Sequence, residues 1–217
     1  MKNMNEMMLY HGSKYEVVSP EFGKGNPEND YGLGFYCTRE LNLAKEWSVT
    51  ANESGIVNKY SIDISGLKIL NLQDLGVIDW LVILMNHRVV NFYNIVSETR
   101  RKRFLDKYKE KYNLEEYDII IGYRADDSYF SFVRDFIDER IYVEDLKELL
   151  LAGNLGLQYV LKSKKAFDRL KFIESENVDK EYFKYRKNRD TNARNIRDEI
   201  LLKNMDSEKK TTLSDLL

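Results

Sequence analysis

The apolar residues of this chain change their period along its length, and the order of those changes limits the folds open to it. Tyr60, Ile62 and Ile64 alternate with Ser61 and Asp63, the two-residue period of a half-buried strand. Shorter apolar runs at Met7-Met8-Leu9-Tyr10, Phe35-Tyr36-Cys37, Lys68 to Leu72, Asp118 to Gly122, Gln158 to Leu161 and Leu170 to Ile173 also read as strands. Between them the spacing becomes helical. Leu43, Ala44, Trp47 and Ala51 share one helical face, with Thr38 as cap and Glu40 in the first turn. Ile78, Leu81, Val82, Met85, Val89, Phe92 and Val96 share another. Thr99 to Tyr112 and Val143 to Leu150 give two more helices. Strands and helices are segregated and do not alternate as regular βαβ units, which predicts an α+β fold.

Residues Ser19 to Gly34 are rich in Gly, Pro, Asn and Asp and predict a long loop. A loop of that length inside a compact domain is commonly functional. After Glu174 the composition turns highly charged and is poor in large apolar residues until Ile196, Ile200, Leu201 and Met205. We expect a domain over residues 1–175 and a charged helical extension over 176–217.

A chain of 217 residues with 43% hydrophobic content can bury a core, and a net charge of -2 gives no global pull toward a polyanion. The basic run Arg100 to Arg103 and the later Lys184, Arg186, Lys187 and Arg189 are diluted by Asp106, Glu110 and Asp190, so they read as solvated helix faces. The single cysteine, Cys37, has no intrachain partner, which fits a reducing compartment. The start lacks a signal-length apolar run, and the longest apolar stretch, Val77 to Met85, is too short for a membrane span. The expectation is a cytoplasmic protein without membrane contact. Two histidines and one cysteine assemble no usual transition-metal ligand set, so no metal is expected.

Several segments carry a resemblance. Tyr10-His11-Gly12-Ser13, then a loop, then Gly32-Leu33-Gly34-Phe35-Tyr36, then Ala44-x-x-Trp47, resemble the front half of the ADP-ribosyltransferase superfamily, the poly(ADP-ribose) polymerase and diphtheria-toxin type. Leu157-Gln158-Tyr159-Val160-Leu161 and Leu170-Lys171-Phe172 resemble its last catalytic strand and the one after it. More closely, the chain looks like an uncharacterised bacterial family near these enzymes. The likeness covers roughly residues 8 to 175. It implies split antiparallel sheets with flanking helices, and NAD as substrate.

By that resemblance, His11 bonds the adenosine ribose, the Gly12 backbone holds the nicotinamide amide beside Ser13, and Tyr36 and Trp47 are aromatic walls. Ala44 stands where the polymerases have a serine, which removes one contact to the amide. Gln158 stands where the family has glutamate. Breaking the nicotinamide–ribose bond creates an oxocarbenium-like centre that a carboxylate stabilises, and an amide carries no charge. Asp126 and Asp127, at the exit of the strand ending in Gly122, are the expected substitutes, one facing the site and one capping the next helix.

Each residue also has a plain structural reading. His11 fits a turn at a strand end, Tyr36 and Trp47 fit the core, and Gln158 fits a strand edge. His87 reads as a surface or capping histidine. The function implied is a mono-ADP-ribosyltransferase acting on a macromolecular acceptor, protein or nucleic acid, as a bacterial toxin or defence effector. Two other readings stand beside it. One is an NAD- or ADP-ribose-binding module with little turnover, and the other is an interaction protein whose charged C-terminal helix docks a partner such as an antitoxin.

Overall fold

In the computed structural model the described residues are 5–88, 92, 94–125, 127–151, 156–205 and 210–217. The chain divides into two compact units. The first comprises Met1–Asp74, Asn113–Arg124 and Gly156–Asn188, the second Leu75–Tyr112, Ala125–Leu155 and Arg189–Leu217. The class is α+β, as the order of periods predicts.

All named strands lie in the first unit. Strands β1 (Glu6–Ser13), β3 (Gly55–Asp63) and β7 (Leu170–Val178) form an antiparallel sheet in the order β1-β3-β7. Strands β2 (Phe35–Cys37), β4 (Ile69–Asn71), β5 (Ile119–Tyr123) and β6 (Leu157–Leu161) form the second sheet, in the order β2-β6-β5-β4. Its β4–β5 pair is parallel, so the expectation of split antiparallel sheets is corrected at that edge. Asp118 sets this pairing up: its N–H donates to the Lys68 carbonyl at 2.8 Å, and its carboxylate accepts from Lys68 N–H at 2.7 Å.

The two sheets meet where Tyr10 and Thr38 exchange main-chain bonds of 2.7 and 2.9 Å. Their shared core joins Leu9, Tyr60 and Ile62 of the first sheet to Phe35, Cys37, Ile119, Tyr159 and Leu161 of the second. Tyr60, Ile62 and Tyr159 face this core as strand alternation requires. Ile64 packs against it just beyond the end of β3.

Helix α1 (Leu41–Ser48) lies against the outer face of the first sheet, where Ala44 and Val49 meet Val57 and Val178. It begins later than Thr38 suggests. Thr38 is held in the bridge to Tyr10 and its hydroxyl accepts from Glu40 N–H, so Glu40 becomes the N-cap. The strand–turn expected at Tyr10-His11-Gly12-Ser13 is likewise corrected. All four residues pair with β3, through Ser13 opposite Ile56.

The second unit is helical among the described residues. It contains α2 (Val77–His87), α3 (Ile95–Lys107), α4 (Asp127–Ile137), α5 (Val143–Leu151), the later part of α7 (Phe183–Met205) and α8 (Leu213–Leu216). Short helix α6 (Lys164–Phe167) belongs to the first unit. The single helix expected over Ile78 to Val96 ends at His87. Val89 falls outside the described residues, and a new helix starts with Asn94 accepting from Ser97 N–H. Much of the basic run serves packing: Arg100 pairs with Glu139 at 2.7 Å and Arg101 donates to the Met85 carbonyl at 2.9 Å. His87 sits at the last turn of α2, 3.3 Å from Glu110. The expected division after residue 175 falls within β7, and the boundary between the units falls within α7.

Candidate functional site

The residues of interest gather around β2 and β6 of the first unit. β2 is an edge strand only three residues long, and strand alternation sorts its side chains. Phe35 and Cys37 turn into the core, while Tyr36 turns the other way. Tyr36 is in register with Val160, and Gln158 lies two residues along β6, so Tyr36 and Gln158 project from the same face.

His11 reaches this strand from β1. Its Nδ1 lies 2.7 Å from the Tyr36 carbonyl, and its ring packs at 4.4 Å on Phe35. A carbonyl only accepts, so Nδ1 carries the proton and Nε2 the lone pair. Burial holds the imidazole below its ordinary pKa of 6.5, although the bond to Tyr36 pulls the other way. His11 and Tyr36 thus meet through the main chain of Tyr36, while the ring of His11 lies on the Phe35 side and the ring of Tyr36 on the Gln158 side.

Gly12 and Ser13 have structural tasks in this arrangement. A Cβ on Gly12 would come within 2.8 Å of Ser48 N and closer still to the Ala44 carbonyl oxygen, so α1 rests directly on the β1 backbone. The Ser13 hydroxyl donates to the Tyr15 carbonyl at 2.6 Å and accepts from buried Asn58 at 2.9 Å.

The loop before β2 is fastened onto the Gln158 face. Tyr31, fully buried, donates its hydroxyl to the Tyr123 carbonyl. It lies over Gly122, where a Cβ would come within 2.7 Å of the Tyr31 ring carbon Cζ. The Tyr36 hydroxyl accepts from Tyr31 N–H at 3.0 Å and donates to the Gly32 carbonyl at 2.6 Å. Lys162, with a side chain 1% exposed, donates to the carbonyls of Tyr31 and Leu33 at 3.0 and 2.7 Å and pairs with Glu115 at 2.7 Å.

This fastening delivers Asp30 to Gln158. The Gln158 Nε2 donates to Asp30 Oδ2 at 2.6 Å, and both residues are 5% exposed. Gln158 is opposite Gly122 on β5, and two residues further Arg124 lays its guanidinium 4.1 Å from the Trp47 ring centre. Trp47 is therefore a half-buried ring on α1 capped by a cation.

Asp126 lies outside the described residues, as does the side chain of Asp127, which opens α4. Asp30 and Arg124 were not anticipated from the sequence. Asp30 sits in an Asn-Asp-Tyr-Gly stretch that reads as an ordinary turn, 128 residues from its partner. The usable signal was the long polar loop itself. Among the described residues no group of three or more His, Cys, Asp or Glu is placed to hold a metal ion, and no helix is long and apolar enough to cross a membrane.

No curated protein and no solved structure matches the chain. A family model described as a protein of unknown function, DUF3990, matches residues 7–172. That span runs from the start of β1 into β7 and takes in His11, Asp30, Tyr36, Trp47 and Gln158, and the chain belongs to the DUF3990 family.

Proposed function

We propose that the first unit binds NAD and transfers its ADP-ribose to a macromolecular acceptor with release of nicotinamide. The observation that carries this reading is the seam between β1 and β2. There His11 is fixed as the Nδ1–H tautomer by the Tyr36 carbonyl, one strand away from Gln158. A neutral imidazole with a lone pair on Nε2 accepts a hydrogen bond from a ribose hydroxyl at physiological pH.

His11 and Gln158 lie on separate sides of β2, so a single ligand must reach around that strand to touch both. The resemblance assigns His11 to the adenosine ribose and Gln158 to the nicotinamide ribose, at opposite ends of one dinucleotide. Tyr36 supplies a ring on the Gln158 side, and Trp47 a second ring already suited to a cationic neighbour. The nicotinamide ring of NAD is itself a cation, so either aromatic face attracts it.

The test is incubation of the full chain with NAD labelled in the nicotinamide, against His11→Ala and Tyr36→Phe variants. The reading expects nicotinamide release by the wild type and a large loss in His11→Ala. Saturable NAD binding with no release above His11→Ala leaves a binding module. Neither binding nor release removes the proposal.

A further inference from the structure

We propose that Asp30 is the catalytic carboxylate of this site, held in place by Gln158. The assignment rests on the NAD reading above and deepens it. By the resemblance Gln158 occupies the strand position where the family carries glutamate, and an amide has no charge to offer. The structure places a carboxylate 2.6 Å from that amide. Asp30 is not there by accident of a loose loop. Tyr31 bonds the end of β5, Lys162 holds the carbonyls of Tyr31 and Leu33, and Tyr36 holds both Tyr31 N–H and the Gly32 carbonyl. The Gln158 donor then fixes the orientation of the carboxylate itself.

In the proposed step the bond between nicotinamide nitrogen and C1′ of the ribose breaks. Its electron pair leaves with nicotinamide, whose ring nitrogen becomes neutral. The positive charge left on C1′ and the ring oxygen is stabilised by the Asp30 carboxylate. A lone pair of the acceptor closes the new bond to C1′, and the acceptor's proton passes to Asp30 and on to water. Asp30 and Gln158 are each 5% exposed, and an ionised carboxylate so placed would act on the developing cation with little screening by solvent. The division of labour explains why glutamine suffices on β6: it positions the acid.

Water serves as the acceptor in the test, with free nicotinamide as readout and thermal melting as a check on folding. Asn at position 30 still accepts from Gln158, so Asp30→Asn removes charge while keeping the bond. Its kcat is expected to fall by about 10²–10³, as for loss of a key electrostatic group, with little change in KM for NAD. Exchanging the two groups in the double variant Asp30→Asn/Gln158→Glu is expected to restore at least about tenfold of that loss, a recovery that a purely structural Asp30 would not give.

Wild-type kcat in Asp30→Asn overturns the assignment and leaves the NAD reading intact. A faster Asp30→Ala also overturns it, since Asp30 would then be a plug over Gln158. Failure of the wild type to release nicotinamide removes the transferase reading, and this assignment with it.

Discussion

Replacing Gly12 by alanine isolates the contact on which the His11 segment depends. Alanine in place of glycine within a strand ordinarily stabilises by about 0.5–1 kcal/mol, because it restricts the unfolded chain. Here the new methyl would lie 2.8 Å from Ser48 N and nearer still to the Ala44 oxygen. Real Cβ atoms keep at least 3.0 Å, and both obstacles are backbone, which no rotamer change can move aside. Helix α1 must retreat by on the order of 1 Å, a gap that forfeits a quarter to a half of the dispersion energy at each parted contact. Leu43 and Ala44 are buried on that helix, so the loss falls on core residues. Overpacking of this kind costs typically 1–3 kcal/mol, and an obstacle made of main chain belongs at the upper end, about 3 kcal/mol. Urea denaturation of the full chain, followed by tryptophan fluorescence, is expected to show a midpoint lower by about 1 M or more. Trp47 rides on α1, so its native emission should shift as well. A midpoint equal to or above the wild type, with unchanged emission, would refute the packing argument.

Three further outcomes follow from the same geometry. His11 is held below its ordinary pKa of 6.5 by burial, so the unfolded chain takes up a proton that the folded chain refuses. Its contribution to stability is complete above pH 6.5 and falls as the pH drops below that value. His11→Asn should therefore flatten the stability profile on the acid side of pH 6.5, and parallel profiles would contradict this. Cys37 is fully buried and desolvation pushes its thiol far up, so it should resist a thiol reagent in the native protein and react fully in denaturant; fast native labelling would be inconsistent with the packing of β2. Lys162→Met strips the donors from the carbonyls of Tyr31 and Leu33 and should cost about 1–3 kcal/mol, with faster proteolytic cleavage between residues 19 and 34. Unchanged stability and cleavage would mean that Lys162 does not hold the loop.

Local pattern made most elements legible, and distance in the chain hid most of the site. Tyr60 and Ile62 announce β3 by alternation, and Asp118 to Gly122 announces β5 by an apolar run. Their partners were not legible, because the parallel pairing of β4 depends on Asp118 bonding Lys68, which no periodicity encodes. Gly12 looked like a turn residue or a ligand contact. Its reason for being glycine is a helix that arrives from 32 residues later, at Ala44. Thr38 looked like a cap by composition, but its main chain was already committed to Tyr10. The sequence did pose the question of a missing acid at Gln158 and directed it to Asp126 and Asp127. The bond between Asp30 and Gln158 joins residues 128 apart, which no local pattern encodes.

Calorimetric titration of the intact protein with NAD addresses the central idea most directly. Saturation at one site per chain is expected, together with a clear loss of affinity in His11→Ala, titrated well below that variant's own melting temperature. Heats that never saturate, or an isotherm for His11→Ala that overlays the wild type, would contradict a dinucleotide site at the β1–β2 seam.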